Sequence, residues 1–302
     1  MRALFNSNYP ILIQGETGTG KTELAKKIHK TSSYKYSRYV ECNLAGIADN
    51  LFESELFGHT KGSFTGACSD KIGFCEKAGS GTLFFDEIGD ITLSQQKKLL
   101  QVLDTGEFFR VGSTEKSNFS GRFIFATHKD LEKLVRQGAF REDLFYRLGG
   151  VSFSLDPLRE KTDAQKSEAI NEFIIKAREK YGLSNKYFHS DVMKALSLYS
   201  WPGNYREMKT TIELVMLKST RPQIELKDLP YRFHCSSREN SSFKRQISDL
   251  ERKILYNEVV NKGVGINKAS KSLGISKTTL IAKLRKYGIS EQVIDRVNLK
   301  VA

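Results

Sequence analysis

Tyr9-Pro-Ile-Leu-Ile-Gln14, then Gly15-Glu-Thr-Gly-Thr-Gly-Lys-Thr22, then Glu23-Leu-Ala-Lys-Lys-Ile-His29 is the stretch that decides the fold. Its first part is a short apolar run suited to a strand buried on both faces, and its last part has helical composition. Between them, Gly15, Gly18 and Gly20 allow a tight turn whose backbone N–H groups can surround phosphates at the positive end of the following helix. Lys21 is placed to reach the β and γ phosphates and the Thr22 hydroxyl to ligate Mg²⁺, with Glu16, Thr17 and Thr19 completing the loop. The strand–loop–helix context predicts an α/β fold with a mainly parallel sheet.

A second apolar strand, Thr82-Leu-Phe-Phe85, delivers two adjacent carboxylates, Asp86 and Glu87. Beside a phosphate loop, the first acid is expected on Mg²⁺ and the second as the base that polarises water. The chain has 302 residues, 39% of them hydrophobic, enough for one large core and a satellite domain. Lys and Arg outnumber Asp and Glu by 48 to 35, a net charge of +13 that favours polyanionic partners. Cys42, Cys68, Cys75 and Cys235 form no CxxC pair, so a disulfide framework is not expected. His59, Cys68 and Cys75 match no common zinc spacing, and no metal cage is expected there. No apolar run approaches the roughly 18 residues that a membrane span requires. A cytoplasmic protein without a membrane partner is the expectation.

Between the two motifs stand Glu53-Ser-Glu-Leu-Phe-Gly-His59 and Gly62-Ser-Phe-Thr-Gly-Ala67. Together they resemble the sigma-54 activator family of AAA+ ATPases, whose loop usually reads GAFTGA. Here Ser63 stands for the first alanine, and Phe64, Thr65 and Gly66, which in the family contact the sigma factor, are intact. The resemblance extends from Ile11 to Leu229 and implies ATP with Mg²⁺ as cofactors. By the same resemblance Asn43 couples the catalytic glutamate to the nucleotide state. Thr127 and His128 fall where the family senses the γ-phosphate with a Thr-Asn pair, so His128 departs from the pattern. Phe140-Arg-Glu-Asp-Leu-Phe-Tyr-Arg-Leu148 is similar to the segment that supplies arginine fingers to a neighbouring subunit, which marks Arg141 and Arg147 and implies a ring. Trp201-Pro-Gly-Asn-Tyr-Arg-Glu207 resembles the second sensor, with Arg206 on the phosphates. Family members usually carry a further helix and loop ahead of the first strand that help to hold adenine. With only a few residues there, weaker nucleotide affinity is expected, and control is expected from outside the motor.

After Pro230 the composition turns polar, and Cys235 to Ser242 reads as a linker. Ile247, Leu250, Ile254, Leu255 and Val259 then recur at helical spacing. Ile266 to Leu273, a Gly274-Ile-Ser276 turn, and Lys277 to Tyr287 read as a helix-turn-helix, with Ser276 as N-cap and Gly288 as stop. This part resembles the Fis-type DNA-binding domain. Leu280, Ile281 and Leu284 should face inward, leaving Lys277, Thr278, Thr279, Lys283, Arg285 and Lys286 for DNA.

The expected architecture is therefore a P-loop AAA+ α/β core (1–165), a helical lid (166–230), a linker (231–242) and a small all-α helix-turn-helix domain (243–302). The resemblance implies a homo-oligomeric, hexameric ring bound to enhancer DNA, acting on sigma-54 RNA polymerase. Two alternatives stay open: another AAA+ remodeller, which has no reason to carry the FTGA loop, and a DNA-binding regulator with a decayed ATPase.

Overall fold

The computed structural model describes residues 5–233, 243–262, 264–287 and 289. The chain divides into two units, 1–234 and 235–302.

The first unit is built on a five-stranded, wholly parallel sheet of β1 (Ile11–Gly15), β2 (Tyr39–Asn43), β3 (Thr82–Asp86), β4 (Arg122–Thr127) and β5 (Ser152–Leu155). The spatial order is β2-β3-β4-β1-β5, so β1 and β3, which carry the two motifs, lie either side of β4. Registers Ile11↔Ile124 and Phe84↔Ile124 align the three central strands. Alternation along them feeds two cores. Ile11, Ile13, Phe84, Ile124 and Ala126 pack with Ala25 and Ile28 of α1 (Lys21–Thr31). Leu12, Leu83, Phe85, Phe123 and Phe125 pack on the other face with Leu99 and Val102 of α2 (Leu93–Thr105) and with Leu144 and Leu148 of α3 (Glu142–Leu148). Continuous apolar strands are what a sheet covered on both faces requires, and each such buried side chain stabilises by about 1.5–3 kcal/mol. Helix α2 starts at a reciprocal Thr92–Gln95 cap and stops at left-handed Gly106.

A smaller helical part follows: α4 (Asp163–Tyr181), α5 (Ser190–Leu198) and α6 (Asn204–Lys218). Ile170, Leu196, Met208, Ile212 and Met216 form its core around Trp201. The first of these helices begins at Asp163, behind a reciprocal Thr162–Gln165 cap. More consequentially, the stretch after Pro230 is not all linker: Tyr231–Phe233 forms a turn, and Phe233 is 0% exposed, its ring 4.4 Å from Tyr199 and 5.2 Å from Trp201. Its surroundings decided its place, and the polar average of that stretch concealed one aromatic anchor.

In the second unit, α7 (Phe243–Tyr256) passes into a π-turn at Asn257–Asn261, followed by α8 (Ile266–Leu273) and α9 (Lys277–Lys286). Leu255, Val259, Ile266, Ala269, Leu280 and Leu284 form its core, with Ile281 packed at the edge. Ser276 accepts from Thr279 N–H as N-cap, and Gly274 ends α8 in the left-handed region. Gly288, Cys235 and the expected linker residues 235–242 lie outside the described residues, as does the tail from 290.

Candidate nucleotide site

Where β1 and β3 end, a cleft of about 830 Å³ opens between core and lid. Thr17, Gly18, Thr19, Gly20, Lys21 and Thr22 line one wall, Asp86 and Glu87 another, and Tyr205 and Arg206 of α6 a third. The two sequence motifs, some 65 positions apart, therefore meet at one place because their strands are both neighbours of β4. The sequence did not single out Glu23, Lys27, Glu172, Phe173, Lys176 or Lys209, which also line the cleft. Their signal was the third-and-fourth spacing along α1, α4 and α6, visible only once those helices face one another.

Lys21 is buried, with its ammonium donating to the carbonyls of Gly15 (2.9 Å) and Glu16 (3.2 Å). Burial pushes its pKa down, opposed by the charges of Glu87 and Asp86 and reinforced by Arg206. Burial and the adjacent Glu87 charge together raise the Asp86 carboxyl above the usual range, against the pull of the Glu87 N–H, Lys21 and Arg206. A half-buried carboxylate raised by a like-charged neighbour suits a hard cation, and the Thr22 hydroxyl on the facing wall offers a second hard oxygen. Glu87 holds a left-handed backbone, φ 58°, and its N–H donates to Asp86 Oδ1 at 3.0 Å.

The lid is latched to the phosphate loop. Arg159 clasps Glu16 through two bonds of 2.7 and 2.8 Å, and holds that carboxyl below its ordinary range together with Asn204. Asn204, fully buried with φ 52°, donates to Glu16 Oε2 and to Thr17 O while accepting from Leu158 N–H. Tyr205 N–H donates to Gly18 O at 2.9 Å. None of these three contacts to the phosphate loop, two from the lid and one from Arg159 just ahead of it, is visible from spacing.

The remaining candidates scatter differently. Asn43 ends β2 opposite Asp86, but its Oδ1 accepts from Ala45 N–H at 3.1 Å. Thr127 is buried and accepts from Lys129 N–H. His128, expected toward phosphates, does not line the cleft and instead donates from Nδ1 to Glu87 Oε2 at 2.7 Å. Glu87, Asp90 and His128 bring ligand-type atoms within 4.8 Å of one another, although Lys129 already pairs with Asp90. Arg141 pairs with Asp143, and Arg147 with Asp104 and the Leu103 carbonyl. Buried Gln96 accepts from Arg141 N–H and donates to Ala139 O, fixing the backbone of that segment. Both arginines are half-exposed and neither lines the cleft of its own chain.

The Phe64 loop projects between two short antiparallel strands, Gly58–His59 and Lys71–Ile72. Phe64, Thr65 and Gly66 are exposed, Phe64 at 39% with its ring edge-on to His59. His59 itself is held by Ser54 rather than by Cys68 or Cys75.

In the second unit Lys277, Arg285 and Lys286 are exposed on α9. Thr278 and Thr279 share hydrogen bonds with Ser276 at the cap. Lys283 pairs with Glu251, which also accepts from Tyr287. A stretch free of acids in sequence thus meets one supplied by α7. No described helix is long and apolar enough to cross a membrane.

Comparison with known proteins agrees with this geometry. Residues 1–154 match the family described as the Sigma-54 interaction domain, and residues 167–246 the AAA+ ATPase lid domain. The Regulatory protein AtoC of Escherichia coli (strain K12) is 36% identical over 297 residues, 94% of this chain and 63% of AtoC. The DNA-binding transcriptional regulator NtrC of Salmonella typhimurium is 41% identical over 227 residues, 75% of this chain and 48% of that protein. The crystal structure of NtrX from Brucella abortus in complex with ATP superposes with a TM-score of 0.69 at 28% identity, covering 95% of this chain and 65% of NtrX. The chain thus spans less than two thirds of the length of these relatives. The lid match runs on past Phe233, in keeping with the burial of that residue.

Proposed function

The chain belongs to the family of sigma-54-dependent transcription activators, and from that premise we propose that it is an ATPase whose hydrolysis cycle, in a hexameric ring, drives remodelling of sigma-54 RNA polymerase. The observation that carries this reading is the convergence of Lys21, Asp86, Glu87 and Arg206 on one cleft. Backbone N–H groups from Gly15 to Thr22, the Lys21 ammonium and Arg206 would bind the phosphates of ATP. Thr22 and Asp86 would hold Mg²⁺, which when bound offsets phosphate charge. Glu87 would take the proton of the attacking water, with Asn43 and Thr127 close to the end of the sheet on which it sits. Arg141 and Arg147 do not line their own cleft, and either would act in trans, where a planar guanidinium offsets transition-state charge by about 10³ to 10⁵ in rate.

Phe64, Thr65 and Gly66 would contact the sigma factor, moved by the latch that ties lid to phosphate loop. The second unit would bind enhancer DNA through α9, chiefly through Lys277, Arg285 and Lys286, with Thr278 and Thr279 at its N-terminus. Engagement of Lys283 with DNA would require release from Glu251. In this proposal residues 1–162 are the ATPase core, 163–233 the lid, and the chain from 243 onward the DNA-binding unit.

ATPase activity measured against protein concentration, for the native chain and for Arg147→Ala and Glu87→Ala, tests this. Turnover that rises cooperatively and is lost in both variants is the expected result. Absence of turnover at every concentration would favour a DNA-binding regulator with a decayed motor.

A further inference from the structure

We infer that His128 is the positioning residue for Glu87, holding one carboxylate oxygen so that the other is presented to water in the cleft. The inference rests on the ATPase reading above and assigns within it a role that the motif pattern gives to no histidine.

Three observations carry it. Glu87 lines the cleft, and its backbone is fixed in the left-handed region with its N–H on Asp86, so only the side-chain torsions remain to be set. The carboxylate can only accept; the 2.7 Å contact at Oε2 therefore has the His128 Nδ1–H as donor, and no described residue engages Oε1. Finally, Asn43, the side chain that the motif pattern sends to this glutamate, is turned to its own loop, its Oδ1 accepting from Ala45 N–H, and Thr127 accepts from Lys129 N–H; among the described residues the hydrogen bond to the Glu87 carboxylate comes from His128. His128 does not line the cleft, so its contact is with the base and not with the nucleotide space.

The chemistry favours this arrangement. A hydrogen bond from one side removes rotational freedom from a carboxylate whose useful geometry is narrow, and misplacement by about 1 Å can cost on the order of 100-fold in rate. Histidine Nδ1 and asparagine Nδ2 lie the same number of bonds from Cα. An asparagine at 128 can therefore place a donor where the imidazole now has one, whereas alanine cannot.

The test measures kcat, KM for ATP and nucleotide affinity on the full chain, at protein concentrations where turnover per subunit has levelled off. The variants are His128→Ala, His128→Asn, Glu87→Ala and the Glu87→Ala/His128→Ala double variant, each checked for native thermal unfolding. His128→Ala should lose roughly 10- to 100-fold in kcat with KM and affinity within about twofold of native. His128→Asn should recover most of that loss, and in the Glu87→Ala background, where turnover is already lost, adding His128→Ala should leave nucleotide affinity and thermal unfolding unchanged. Native kcat in His128→Ala, or an equal loss of nucleotide affinity, would overturn the inference while leaving the ATPase reading intact. A native chain that binds nucleotide without turning it over would overturn both.

Discussion

Two glycine-punctuated loops, Gly15 to Thr22 and Gly62 to Ala67, use the same residue for opposite reasons. Gly18 has φ 81°, and a β-carbon on it would sit 2.4 Å from Gly203 O, because the start of α6 presses on the phosphate loop. Gly62 and Gly66 have φ of 80° and 108°, yet a β-carbon on either would meet nothing within 4 Å. In the first loop Gly15 and Gly18 serve close approach, with Gly20 alone kept for backbone shape, and the loop is pinned by lid, strand and helix. In the second it serves backbone shape alone, in a loop stitched by Gly62 N–H to Ala67 O and Ala67 N–H to Phe64 O. A loop that must present a fixed cradle is over-determined by its neighbours. One that must meet a partner is shaped by local bonds and left open.

The contrast breaks most readily at Gly18. Gly18→Ala combines a left-handed conformation, about 1–2 kcal/mol, with backbone overlap that shifts the lid, so a loss of about 2–4 kcal/mol in stability is expected. ATP affinity should fall at least tenfold, because the latch through Tyr205 and Asn204 must open. Denaturant melts and nucleotide titration check this. Native values in both would mean that the lid does not confine this loop, and the contrast would vanish.

Electrostatics sharpens the same contrast, since the cleft stores an unfavourable charge pair and the Phe64 loop holds no carboxylate. Because burial and Glu87 raise the Asp86 carboxyl, the folded state binds that proton more tightly than the unfolded one. The contribution to stability is therefore complete below the usual aspartate range and is lost as pH rises through the raised value. Asp86→Asn should thus melt higher than the native chain at neutral pH without nucleotide, with the gap closing as pH falls to the ordinary aspartate range. The same variant should abolish hydrolysis. A gap that persists at low pH would place its cause outside this carboxyl.

The two loops also differ from the rest of the site in how far they could be read in advance. Each is a contiguous motif whose chemistry follows from order along the chain, as do the paired acids at the end of β3. The sheet was legible for a similar reason: strands covered on both faces must be continuously apolar. Contacts between distant positions were not legible. Glu16 meets Arg159 and Asn204 across more than 140 residues, His128 reaches Glu87, and Gln96 holds Arg141. Local composition even misled at Phe233, one buried ring in a polar stretch, and at Lys283, whose acidic partner comes from another helix.

At Gly66 the comparison predicts a smaller structural effect. Gly66→Ala meets no steric obstacle, so its cost is the backbone term alone, about 1 kcal/mol, in a loop that can relax. ATP affinity and turnover should stay within about twofold of native, while open-complex formation with sigma-54 RNA polymerase in vitro should be lost. Lost turnover would show that the loop is wired into the cleft even without its partner.

The smallest effect is expected at Ser63, where the open loop has a closed base. A β-carbon on Gly112 would lie 2.5 Å from Ser63 Cβ, and Thr60 N–H donates to Val111 O, so this end of the loop is packed as the phosphate loop is packed by the lid. The Ser63 hydroxyl is buried there without a hydrogen-bond partner among the described residues. An unpaired buried hydroxyl costs about 1–3 kcal/mol, part of which rotation toward water recovers. Ser63→Ala keeps the packing, removes the orphan donor and restores the usual family pattern. It should raise stability by about 0.5–1 kcal/mol and leave promoter opening intact. Lower stability in the isolated chain would mean that the hydroxyl has a partner in solution. Unchanged stability with impaired promoter opening would place that partner in the assembled complex, and would make Ser63 part of what the open loop recognises.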